Sequence, residues 1–101
     1  VFVPLAFALL VAAHLFDLAS FVVMTDMHGL GAEANPIVVF LHQEIGLPGL
    51  TVLKVAAVAF GGTVFALIAP HRRRLATAVI VYGIAAGMVG GLSNVATIYA
   101  Y

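Results

Sequence analysis

Asp17 and Lys54 are two formal charges set inside stretches that are otherwise apolar. An ionisable side chain in hydrocarbon is costly, so each asks for a partner or a task. His14 precedes Asp17 by three positions and therefore shares its helical face. Ser93 and Asn94 are polar side chains near the end of the last apolar stretch, and Glu33 and Asn35 stand in the motif Glu33-Ala34-Asn35-Pro36 between the first two stretches. The expected polar cluster is His14, Asp17, Lys54 and Asn94, with Asp17 and Lys54 as an ion pair and Glu33 as a competing partner for Lys54. Three roles are open to it. An Asp–Lys pair can hold two helices in register and nothing more. It can relay protons or bind a polar solute. Alternatively, Lys54 can run its stem out to the headgroups.

Metal chemistry has less support. His14-x-x-Asp17 offers two ligands from one face, and His28, Glu33 and His42 fall between the first two spans, but no recognised ligand spacing ties them together. No metal site is expected. His14 is the one histidine inside a span, so it is also the one position where a haem or chlorophyll-type pigment could be ligated. A histidine hydrogen-bonded beside Asp17 is the plainer alternative, and no cofactor is expected. There is no P-loop, no strand-linked G-x-G-x-x-G and no G-x-S-x-G, so no catalytic residue is assigned.

The elements that must position these residues are membrane helices. The chain has 101 residues, 64% hydrophobic and 8% charged, and its mean hydropathy is +1.22. A soluble domain carries about 25% charged residues, so this chain has too little charge to cover a water-facing surface. Its partner is the lipid bilayer. A net charge of zero gives no field for nucleic acid. With no cysteine, disulfides and thiolate metal sites are excluded.

A spanning helix needs about 20 apolar residues. Residues 3–24, 50–69 and 76–99 qualify. At ~1.5 Å per residue, Asp17 lies roughly 10 Å from the far end of the first span, with Asn94 at a similar depth or shallower. Asn35 before Pro36 reads as a helix start, and a short helix over 36–45 is too brief to span, with Gly46 and Pro48 stopping it. The expected fold is all-α: one integral-membrane three-helix bundle with a short interfacial helix between the first and second spans. Tyr99 and Tyr101 suit an interface.

Three of the four Lys/Arg residues fall in the turn Pro70-His71-Arg72-Arg73-Arg74. The positive-inside rule puts that turn in the cytoplasm. The N-terminus is then cytoplasmic, and the C-terminus and the 25–49 connection are extracytoplasmic, in an inner membrane.

Gly83, Gly87 and Gly91 repeat every four residues on one face, and Gly61 stands in the second span. Small residues let membrane helices approach closely. Such a face can serve self-association or packing within one chain, and the sequence does not separate the two.

Asp17, the Gly29/Gly31 turn, Glu33-Ala34-Asn35-Pro36 and Lys54 together resemble a family of small prokaryotic membrane proteins. The family pattern is an Asp in the first helix, a glycine-containing turn, E-x-N-P, a short apolar helix and a Lys in the next span. The likeness covers about residues 15–57, and the glycine placement in the turn differs slightly. No activity is established for that family. The resemblance implies that Asp17, Glu33, Asn35 and Lys54 act as a unit. The expected function is non-enzymatic: an accessory or scaffold subunit of a larger membrane complex, or a homo-oligomer. The alternative is a small ion, proton or polar-solute transporter or channel-like oligomer using Asp17 and Lys54.

Overall fold

The computed structural model describes residues 2–29, 31, 33 and 35–100. Tyr101, and Leu30, Ala32 and Ala34 of the turn and motif, lie outside the described residues. Among those described there are three helices and no strand: α1 (Phe2–His28), α2 (Pro36–Ile68) and α3 (Arg73–Ala100). All three are long and apolar enough to cross a membrane. At 27 and 28 residues, α1 and α3 each run about 40 Å, against about 30 Å of hydrocarbon.

α1 therefore continues past residue 24, the expected end of the span. The apolar count marks the edge of the hydrocarbon, whereas the helix itself ends where its backbone bonds end. That point is Gly29, whose φ of +80° and N–H donated to the Thr25 carbonyl at 2.9 Å form a left-handed cap open to glycine. α3 likewise begins at Arg73, three residues before the expected span.

The short helix and the second span prove to be one element with a break. Gly46 adopts φ 71°, ψ 179° inside α2 and is non-helical. Only glycine takes this conformation at no steric cost. The helix over 36–45 thus ends where expected, but Pro48 is not part of the stop. It sits in the first turn after the kink, where a missing N–H costs nothing. Asn35 caps the arm, accepting the Ile37 N–H on its Oδ1 at 3.0 Å. The arm folds back on α1, with the His42 and Phe21 ring centroids 6.1 Å apart.

α1 and α3 form the intimate pair. A Cβ on Gly87 would stand 2.9 Å from the Ala13 carbonyl carbon, and one on Gly83 would stand 3.0 Å from a Leu10 methyl; Gly91 faces the Phe16 ring. The glycine repeat is thus used within the chain, against α1. On α2, Gly61 meets nothing within 4 Å, so the expected packing role falls to its neighbour Gly62, which lies against Phe7. One position is 100° of helix rotation, enough to turn a residue off the interface.

The two ends of the bundle differ. At the arginine turn, Ala6, Leu10, Phe65, Ala76 and Ile80 make a dry core. Phe65 is fully buried, with Phe2 and Phe7 packed edge-on at 5.7 and 6.2 Å. The Arg73 guanidinium lies 5.6 Å over the Phe2 ring. Toward the other end, polar side chains lie between the helices and line a cavity.

Candidate functional site

Asp17 anchors the polar end. Its carboxylate can lie against α3 because residue 90 has no side chain: a Cβ there would be 2.6 Å from Asp17 Oδ1. Four residues on, and so on the same face, Asn94 is buried. Its amide Nδ2 donates to the Asp17 carbonyl at 3.2 Å, to Asp17 Oδ1 at 3.2 Å and to Ser20 Oγ at 3.1 Å. Ser20, also buried, donates its own hydroxyl back to the Asp17 carbonyl at 3.0 Å. The second carboxylate oxygen, Oδ2, accepts from the Lys54 ammonium in a salt bridge. Asp17 is thereby held from α2 and α3 at once, about 16 Å along α1 from His28.

The pair is only partly shielded: the Lys54 and Asp17 side chains are 26% and 21% exposed. Beside it lies a cavity of about 430 Å³ whose wall includes Asp17, Lys54, Asn94, Glu33, Asn35 and Ser93, together with apolar side chains from all three helices. Glu33 does not take Lys54 from Asp17. Its Oε1 accepts the Asn35 N–H at 3.0 Å, which ties the motif's carboxylate to the start of the α2 arm and leaves it on the cavity wall. The structure thus brings Asp17, Glu33, Asn35, Lys54 and Asn94 around one space.

His14 sits apart from that cavity. Its Nε2 meets the Gly83 carbonyl at 2.8 Å. A carbonyl can only accept, so Nε2 carries the proton. The other ring nitrogen, Nδ1, is buried without a partner. His14 therefore does not bond Asp17; it joins α1 to α3 one turn away and lines two smaller grooves that it shares with Lys54. Neither ring nitrogen offers an exposed lone pair to a pigment metal. Among the described residues, no group of three or more His, Cys, Asp or Glu is placed to hold a metal ion. At the far end of α1, His28 bonds the Ile98 carbonyl of α3 at 3.0 Å.

Two participants escaped the sequence reading. Ser20 looks like an isolated hydroxyl in the sequence. Gly90 reads as one more packing glycine, yet it makes the niche for a carboxylate; its signal is its place one turn before Asn94.

No family model, no curated protein and no solved structure matches this chain.

Proposed function

We propose that this chain is a non-enzymatic membrane protein whose cavity beside the Asp17–Lys54 pair binds a small ion or polar solute reached from the extracytoplasmic side. The observation that supports this reading is a cavity large enough for a solute, with two carboxylates, an ammonium and two amide side chains on its wall. A pair that served only to lock two helices would need no such space. The orientation rests on the arginine turn, at the opposite end of the bundle, lying in the cytoplasm of an inner membrane. The likeness to the Asp…E-x-N-P…Lys pattern agrees with one unit, since those residues converge here.

A second reading, an accessory subunit of a larger complex, draws support from α2. Of its described residues, only Gly62 and Phe65 are buried, and Val52, Val55, Phe60 and Leu67 face outward. Lipid covers such a face as well as a protein does. The glycine repeat that argued for self-association is already occupied by α1.

The test uses proteoliposomes and a panel of sodium, protons, methylammonium and glycine. The wild-type chain should bind or admit at least one of these above protein-free vesicles. Asp17→Asn combined with Lys54→Gln replaces the ion pair by a neutral hydrogen bond without stranding a charge. It should keep the helical circular dichroism and lose about tenfold in affinity or flux, ~1.4 kcal/mol. Equal activity in the two proteins would remove the pair from the function.

A further inference from the structure

The charges on the cavity wall do not cancel. Asp17 is neutralised by Lys54, and both of its oxygens are engaged. Glu33 accepts one backbone N–H, and among the described residues no cation pairs with it. The wall therefore carries one carboxylate without a counter-ion, and a fixed charge there attracts a counter-charge. Beside these charges and the polar Asn35, Ser93 and Asn94, the wall has the apolar side chains of Leu18, Phe21, Val38, Leu50 and Val89. A bare metal ion needs several oxygen ligands, and the described residues offer no metal-binding group. At about 430 Å³ the space falls in the size range of small-molecule sites.

We infer that the occupant is an organic monocation, an ammonium on a compact apolar body, with the Glu33 carboxylate as its counter-ion and the Leu18–Phe21–Val38 wall around its apolar part. The inference rests on the reading of the cavity as a solute site and names its ligand class. The ammonium forms a charge-assisted hydrogen bond to Glu33, while Lys54 stays on Asp17 and keeps that carboxylate from competing. An anion meets Glu33 unshielded, and a neutral molecule leaves its charge uncompensated.

Three probes of one size and different charge decide this: phenethylammonium, 2-phenylethanol and phenylacetate. Each is titrated calorimetrically into the protein in zwitterionic nanodiscs, with empty nanodiscs subtracted. Phenethylammonium should bind about tenfold more tightly than the alcohol, the worth of one charge-assisted hydrogen bond, and phenylacetate should give no heat. Glu33→Gln should remove that preference. Ala86→Phe, which fills the cavity from an outward-facing position, should abolish binding. If the alcohol or phenylacetate binds as well as the cation, and Ala86→Phe abolishes it, the ligand class is wrong while the solute site stands. Cation binding unchanged in Glu33→Gln overturns the counter-ion. If neither these probes nor the proteoliposome panel registers, the inference and the solute site fall together.

Discussion

Replacing Asp17 by Leu should destabilise the folded chain by ~2–4 kcal/mol, because it takes from the Lys54 ammonium the carboxylate that neutralises it between the helices. A fully buried partner lost in this way costs about 3–5 kcal/mol. The lower figure follows from the 26% exposure of Lys54, which gives its stem a partial route to water. The cost has a second part, since Asn94 loses one acceptor. Lys54→Met should also destabilise. The double variant, Asp17→Leu with Lys54→Met, should cost less than the two singles together by about 2 kcal/mol, since the stranded charge is gone. Unfolding of the helices in mixed dodecyl sulfate micelles reads all four proteins. Additive losses would mean that each charge acts alone and that the pair is not a unit.

Gly87→Leu should be comparably damaging. At this position α3 lies on the α1 backbone itself: the first added carbon would fall 2.9 Å from the Ala13 carbonyl carbon. A flexible side chain can move aside, but a helix backbone moves only as a whole. The expected loss is about 3 kcal/mol, the upper part of the range for overpacking. Separating α1 from α3 also pulls Asn94 off Asp17, so the damage should extend to solute binding. Gly61→Ala is the matched control. It enters open space in a helix where glycine is entropically poor, and should be neutral or stabilising by up to ~1 kcal/mol. Equal losses at the two positions would show that glycine matters here for flexibility rather than for close approach.

These two cases also show what the sequence carried. Hydropathy and length pointed to three long apolar helices, and three such helices are found, because the cost of unpaired backbone in lipid leaves few alternatives. Asp17, Lys54 and Asn94 were readable as a cluster because polar residues are few in apolar helices and the alternating topology brings them to a common depth. Asn35-Pro36 announced a helix start by local chemistry. What could not be read was azimuth. Gly61 and Gly62 differ only by rotation about α2, and nearly uniform hydrophobicity around the helix gives no sign of which side meets α1. His14 was assigned to Asp17 by spacing, but sharing a face leaves the ring free to choose between the carboxylate and a carbonyl on α3, and it reaches Gly83. The merging of the short helix into α2 was hidden for a similar reason. Glycine followed by proline marks a break but gives no sign of whether the chain resumes its helix at once.

Under the proposed function, a polar cavity opens to water on the side opposite the arginine turn. The chain has no cysteine, so single cysteines can report on it directly. Ser93 is exposed and lines the cavity, whereas its neighbour Leu92, at the same depth and 56% exposed, does not line it. A thiol reacts as thiolate and needs water to ionise. In sealed vesicles of defined orientation, Ser93→Cys should be labelled by a membrane-impermeant cationic thiosulfonate added on the extracytoplasmic side, and Leu92→Cys should stay unlabelled. If Ser93→Cys is as inert as Leu92→Cys, or reacts only from the side of the arginine turn, the cavity is not a water-accessible site on the proposed face and the functional account is wrong.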